Sequence, residues 1–208
     1  AEYPQVRVQS DIPVMMGRRW RIGRWQQLGP SFRFRQTKGS QVAQRFRGES
    51  LHKVDAKGRV SIPALFRRVI ESCDPNWTDG LAPELVIVYG DARKKYLECY
   101  TIQAIDEVDR KIDALPRGSK ARSMLQRLFH AQSVPTAIDD TGRLVLSAKL
   151  RDKVGIKNEA YFVAAGDTFQ IWQPEAYEAD LAKIDAALDE LPEDFDTLAL
   201  LDGDEALP

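Results

Sequence analysis

Two short segments carry the side chains best suited to chemistry. They are residues 55–59 (DAKGR) and residues 139–143 (DDTGR), 84 positions apart. In each, the glycine permits the positive φ of a tight turn, and the aspartate can accept hydrogen bonds from nearby backbone N–H groups. The arginine that follows can pair with that carboxylate as a structural clamp, or it can project from the hairpin end toward an outside partner.

The duplication of this turn favours the outside partner. A matched pair of arginines suits duplex DNA, because arginine can contact guanine bidentately while lysine neutralises phosphate. Thr141 stands where the first copy has Lys57, so we expect the first copy to dominate binding. The predicted DNA-binding residues are Arg59, Lys57, Arg143, Lys53 and Arg67. The predicted turn-shaping residues are Asp55, Gly58, Asp139 and Gly142.

The elements that must position these turns also occur twice. The hydrophobic pattern predicts strands over 46–54 and 59–62 joined as a hairpin, a helix opened by Pro63, and a hairpin of 85–89 with 96–100. Helices follow over 102–115 and 118–132. The same order then returns, with strands over 134–138 and 143–146, a helix over 148–154, a hairpin over 160–172 and a helix over 175–191. Two diverged copies predict pseudo-twofold symmetry within one chain.

Charge is distributed unevenly along the chain. Residues 1–47 hold ten Lys or Arg and two acids, whereas residues 178–208 hold one Lys and eleven acids, within a net charge of −1. A basic arm is compatible with nucleic-acid binding, although most charge runs are simply solvated. Residues 1–44 show no sustained periodicity and are predicted to be a disordered basic extension, and residues 192–208 an acidic tail. The extension is Arg-rich like a transit sequence but lacks the apolar region of a secretory signal.

Other classes of protein find little support. No apolar run approaches the roughly 18 residues of a membrane span. Cys73 and Cys99 form no metal-ligand motif, and neither His52 nor His130 belongs to a recognisable catalytic motif. We therefore predict no catalytic, cofactor or metal site, no small-molecule substrate, no membrane partner and a cytoplasmic location.

Residues 45–63 (RFRGESLHKVDAKGRVSIP), together with the second DxxxR element at 139–143, resemble the MraZ family. The resemblance runs from about residue 45 to about residue 191 and includes FQIW at 169–172. It implies an AbrB-like swapped-hairpin fold, ring-shaped oligomers and a nucleoid-associated regulator. Such a regulator binds direct repeats in the promoter of the bacterial division and cell-wall gene cluster. The resemblance also implies that Arg59, with Lys57 beside it, binds DNA and that Arg143 does so by symmetry.

The sequence thus predicts an α+β protein with two pseudo-symmetric AbrB-like modules forming a double-split β-barrel flanked by helices. The modules are residues 45–101 and 133–191, joined by helices over 102–132. The expected partners are double-stranded DNA and further copies of the chain in a ring. The alternative is a protein-interaction or assembly module such as an AbrB-like antitoxin. Antitoxins of this fold usually have one copy of the module, so the duplication favours the regulator.

Overall fold

A computed structural model describes residues 45–192 and 194–202 of the protein. Among these residues are eight strands and five α-helices. The strands are Glu49–Lys53 (β1), Arg59–Ser61 (β2), Glu84–Val88 (β3), Tyr96–Thr101 (β4), Ser133–Ala137 (β5), Arg143–Val145 (β6), Glu159–Ala165 (β7) and Thr168–Trp172 (β8). The helices are Ala64–Ser72 (α1), Ile102–Asp113 (α2), Lys120–Gln126 (α3), Ala148–Val154 (α4) and Pro174–Asp189 (α5), with a π-helical turn at Arg127–Ala131 and a 3₁₀ helix at Thr197–Asp202.

The strands form two antiparallel sheets whose order is symmetric between the repeats. The larger sheet runs β1-β7-β8-β4-β3-β5, and the smaller one is the two-stranded ribbon β2-β6. Exchanging each strand of the first repeat for its counterpart in the second reverses the order of the larger sheet and leaves the ribbon unchanged. In the ribbon, Val60 lies opposite Leu144, its own counterpart 84 positions later. The protein is therefore a mixed α/β fold whose strands interleave across the duplication.

The predicted hairpin of the first repeat is wrong beyond its turn. Val54 and Val60 form a single bridge, after which β1 pairs with β7 and β2 pairs with β6. An isolated two-stranded hairpin is at best marginally stable in water. The pairing of β2 with β6 places Val60 and Leu144 opposite each other and buries both side chains in the apolar core. The other two predicted hairpins, β3 with β4 and β7 with β8, are confirmed.

Helix boundaries follow local capping groups. The Thr101 hydroxyl accepts a hydrogen bond from the Ala104 N–H at 3.1 Å and begins α2. The predicted helix over 118–132 is instead divided into α3, which begins after the Ser119 cap, and the π-helical turn. Gly118 has a φ of 83°, a conformation that an α-helix does not contain, so α3 begins only after it.

One apolar core joins both repeats and supports the ribbon from beneath. Phe46, Phe66 and Phe169 pack with ring centroids 5.0–5.3 Å apart. The buried side chains of β2 and β6 belong to the same core. Cys99 is buried and Cys73 is half-buried, both as free thiols. The ribbon is consequently anchored by one face, and its other face is exposed.

The predicted basic extension over 1–44 lies outside the described residues, as do parts of the acidic tail, residues 193 and 203–208. In the described part of the chain, no helix has the length and apolar character needed to span a membrane. The division into modules at 45–101 and 133–191 stays a prediction.

Candidate nucleic-acid interface

The first DxxGR turn is held by its own aspartate. Asp55 Oδ1 accepts hydrogen bonds from the backbone N–H groups of Lys57 and Arg59, both at 2.9 Å. Arg59 Nε donates to Asp55 Oδ2 at 2.6 Å. The Arg59 backbone N–H, with the guanidinium beside it, holds the pKa of Asp55 below its ordinary value, because these bonds stabilise the charged form. The clamp foreseen for this segment is thus present, and it occupies one edge of the Arg59 guanidinium.

The second turn has the same backbone hydrogen bonds, but no described residue pairs with its arginine. Asp139 Oδ1 accepts from the backbone N–H groups of Thr141 and Arg143, at 2.9 and 2.8 Å, and from the Thr141 hydroxyl at 2.7 Å. That hydroxyl is the first cause of the lowered pKa of Asp139. Within the described part of the chain, the Arg143 side chain forms no hydrogen bond or ion pair, and it is exposed. We call Asp55 and Asp139 the turn carboxylates.

The ribbon brings the two arginines onto one surface. Arg59 lies opposite Val145, and Ser61 lies opposite Arg143. Because alternate residues of a strand share a face, these four side chains line the outer face of the ribbon. The diagonal between the two arginines corresponds to a Cα separation of about 7–8 Å. The outer face is thus a small exposed surface with one arginine from each repeat.

Hydrogen bonds across the repeats fix each turn to an end of the ribbon. The Leu146 N–H donates to the Gly58 carbonyl at 2.8 Å, and the Ile62 N–H donates to the Gly142 carbonyl at 3.0 Å. These bonds repeat the exchange seen in the strands. Each DxxGR turn is therefore shaped by its own aspartate and also bonded to the other repeat.

An arginine from the opposite repeat packs on each turn. A Cβ built on Gly142 would lie 2.4 Å from Arg67 Nη1, and one built on Gly58 would lie 3.1 Å from Arg151 Nε. Arg67 Nε is buried and has no hydrogen-bond partner among the described residues. The structure thus places Arg67 between the repeats, so that its role in DNA binding remains a prediction. Sequence reasoning omitted Arg151 as a site residue. Arg151 follows Arg67 by 84 positions, the same offset as the two DxxGR segments, and this coincidence was a signal for it.

The two predicted lysines lie apart from each other. Lys57 is exposed at the tip of the first turn. Lys53 is at the end of β1, directly opposite Glu159 of β7, so its charge faces an acidic neighbour. The structure brings together Arg59, Arg143 and the tip carrying Lys57, and it leaves Lys53 on the larger sheet.

The residues considered for catalysis lie elsewhere and apart from one another. His52 Nε2 is 3.0 Å from the Ser50 hydroxyl on β1, and burial lowers the pKa of His52. His130 Nε2 is 3.0 Å from Asp109 Oδ1. The described residues contain no group of three or more His, Cys, Asp or Glu side chains placed to hold a metal ion.

Comparisons with known proteins agree with the resemblance seen in the sequence. A family model described as "MraZ protein, putative antitoxin-like" matches residues 129–197. A protein of Ruegeria pomeroyi named transcriptional regulator MraZ is 68% identical over 163 residues, which cover 78% of this chain and 98% of the relative. Proteins of the same name from Ruegeria sp. strain TM1040 and Cereibacter sphaeroides are 65% and 43% identical, and the matched regions cover 98% of each. With relatives this similar over nearly their whole length, the chain belongs to the MraZ family.

Proposed function

We propose that this protein is a sequence-specific DNA-binding transcriptional regulator whose DNA-contacting surface is the outer face of the ribbon. The observation that carries the proposal is the pairing of β2 with β6, which puts Arg59 and Arg143 side by side on an exposed, symmetric strand pair. A two-stranded ribbon fits the major groove of B-DNA, which is about 12 Å wide. The names of the relatives support regulation as the purpose of that contact.

The size of the ribbon indicates how many grooves one chain reaches. Gly58 and Gly142 are paired across the repeats with Leu146 and Ile62, so the two turns are four ribbon positions apart. At the rise of an antiparallel strand this is about 14 Å. Successive major-groove sites on one side of DNA are about 34 Å apart. One chain therefore addresses one groove, and direct repeats require several chains.

The geometry supports different roles for the two arginines in DNA binding. Arg59 already donates its Nε to Asp55, which leaves its terminal nitrogens for DNA. No described residue pairs with the Arg143 guanidinium, and bidentate contact with guanine O6 and N7 needs a free pair of donors. Lys57, at an exposed tip, suits a phosphate contact. Arg143 is thus at least as well suited to base reading as Arg59, despite the poorer charge of its turn.

The proposal also covers the oligomer, the DNA target and the cellular location. The chain works as a ring-shaped homo-oligomer on promoter direct repeats of the division and cell-wall gene cluster, in the cytoplasm and at the nucleoid. It acts through DNA without catalysis, cofactor or small-molecule substrate. The exchange of β2 and β6 supports an AbrB-like swapped hairpin with a double-split barrel. Several modest contacts on one closed assembly gain affinity through effective concentration.

The test is a fluorescence-anisotropy titration of the full chain with its own upstream promoter fragment and with a scrambled fragment. Arg59→Ala and Arg143→Ala are compared with Arg93→Ala, an exposed arginine paired with Asp91 away from the ribbon. Loss of a base contact reduces the difference in binding free energy between the two fragments by about 1–3 kcal/mol. Loss of a phosphate contact instead weakens binding to both fragments equally and reduces the slope of log affinity against log salt by about 1. Equal binding of both fragments by the unmodified chain would refute the proposal.

An assembly module without DNA binding is the second candidate. The antitoxin-like description of the family model and the acidic character of α5 and the following residues favour it. A toxin gene beside this gene would support that candidate, whereas cell-wall and division genes would support the regulator. Intact promoter binding by the isolated chain, lost in Arg143→Ala, would exclude it as the sole function.

A further inference from the structure

Helix α5 has an apolar face that the described part of the chain leaves open. Tyr177, Leu181, Ile184 and Leu188 follow one another at intervals of four, three and four residues and so lie on one side of the helix. Tyr177 stacks on Tyr161 of β7 with ring centroids 4.7 Å apart, which anchors the first turn. Beyond it the other three side chains are 39%, 53% and 45% exposed.

The equivalent helix of the first repeat is covered. Helix α2 follows β4 as α5 follows β8, and its Ile105 and Ile112 are only 6% and 2% exposed. After α2 the chain folds back through α3 and the π-helical turn, where Phe129 packs against the cluster containing Ile105. No described segment plays that part for α5. The second repeat therefore presents an uncovered version of a surface that the first repeat buries.

Charge indicates what covers this face. Helix α5 carries five acids and one lysine, and three of the acids border the apolar face along one side: Glu178, Asp185 and Asp189. Two α5 helices placed together would set like charges beside each other. A basic helix with a small apolar surface is the complementary partner.

Helix α3 has this character on its exposed side. Lys120 and Met124 of α3, with Arg127 at the start of the π-helical turn that continues it, lie on one side, and all three are exposed. Residues 114–138 contain no Asp or Glu. Neither basic residue forms an ion pair with the described part of the chain.

We infer that α5 of one copy docks along the exposed side of α3 of a second copy, with Leu181 and Ile184 packed on Met124. Glu178 and Asp185 are seven residues apart, as are Lys120 and Arg127, so both pairs are separated by about 10 Å along their helices. The spacing allows two ion pairs beside the apolar contact. Because α5 and α3 belong to different surfaces of the chain, the contact is head-to-tail and can close into a ring. This inference rests on the oligomer in the proposed function and names its contact surfaces.

The test is sedimentation velocity of the full chain without DNA over a range of concentrations. We expect Glu178→Lys with Asp185→Lys, and separately Lys120→Glu with Arg127→Glu, to raise the dissociation constant of the assembly at least about tenfold, because each exchanges attraction for repulsion. Combining all four substitutions should restore assembly. Glu175→Lys with Glu190→Lys makes the same charge change away from the apolar face and should leave assembly unchanged.

Unaltered assembly in both charge-reversed variants, no recovery in the combined variant, or a monomeric unmodified chain would each overturn the inference. Anisotropy with a single-repeat fragment separates this result from the proposed function, since the substitutions leave the ribbon residues in place. Failure of the charge reversals alongside normal promoter binding would refute only the α5 contact. Normal assembly without any promoter preference would refute only DNA reading.

Discussion

Replacing Gly58 by alanine should destabilise the fold more than the same change at two other glycines with similar backbones. Gly48, Gly58 and Gly142 have φ values of 87°, 80° and 76°. In each case an L-residue in this left-handed region costs about 1–2 kcal/mol. The three glycines differ in the atoms that an added methyl group would contact. At Gly48 nothing lies within 4 Å, whereas at Gly58 the Leu146 carbonyl oxygen lies 2.2 Å away.

The clash at Gly58 involves backbone that cannot move freely. Leu146 is held to the first turn by its N–H bond to the Gly58 carbonyl, and relief of the overlap strains or breaks that bond. A lost hydrogen bond costs about 1 kcal/mol, and overpacking costs about 1–3 kcal/mol. We expect a total of about 3–6 kcal/mol for Gly58→Ala, with the conformational cost included. At Gly142 the nearest atoms belong to the flexible end of the Arg67 side chain, so the cost stays at about 1–2 kcal/mol.

The assay is urea unfolding followed by circular dichroism at one fixed protein concentration, because assembly makes stability concentration-dependent. The order of midpoints should be unmodified chain, then Gly48→Ala and Gly142→Ala together, then Gly58→Ala well below them. If Gly58→Ala is no less stable than Gly48→Ala, the close approach of the two repeats at this turn is refuted.

Three further outcomes are expected. The pKa values of both turn carboxylates lie below the ordinary 3.8, so their contribution to stability is fully present above that pH and is lost as pH falls through the lowered pKa. The stability gap between the unmodified chain and a variant with both carboxylates replaced by asparagine should thus be constant from about pH 8 to 5 and shrink below about pH 4 in unfolding titrations. Burial raises the pKa of the Cys99 thiol. Iodoacetamide should therefore alkylate Cys73 at least about tenfold faster than Cys99 in the native protein. Mass spectrometry measures the two rates, and equal rates would contradict the prediction. Leu144→Ala, at the buried centre of the ribbon, should lower the free energy of unfolding in urea by about 2–5 kcal/mol. Val145→Ala, on the outer face, should change it by no more than about 0.5 kcal/mol. Similar losses of stability at both positions would contradict the assigned faces.

Much of the candidate site could be predicted because its chemistry is local. An aspartate that binds N–H groups two and four residues later, and a glycine with positive φ, need only the five residues of the turn. The doubled motif also indicated a matched arginine pair, and the ribbon brings Arg59 and Arg143 together. The sequence did not indicate that Arg67 packs on the second turn, because that contact joins residues far apart along the chain.

The amino-acid sequence by itself determined the duplication, the two DxxGR turns, most helix positions and the family. Each of these depends on residue types at short range or on a pattern that the chain repeats. Only the tertiary structure decided that β2 pairs with β6 and that Arg59 is clamped while Arg143 has no side-chain partner among the described residues. It also decided that the described residues leave α5 uncovered where they bury α2. Strand partners are chosen by how much apolar surface two distant segments can bury together. Val60 and Leu144 lie opposite each other and are both fully buried, and no local pattern indicates that these two residues pair.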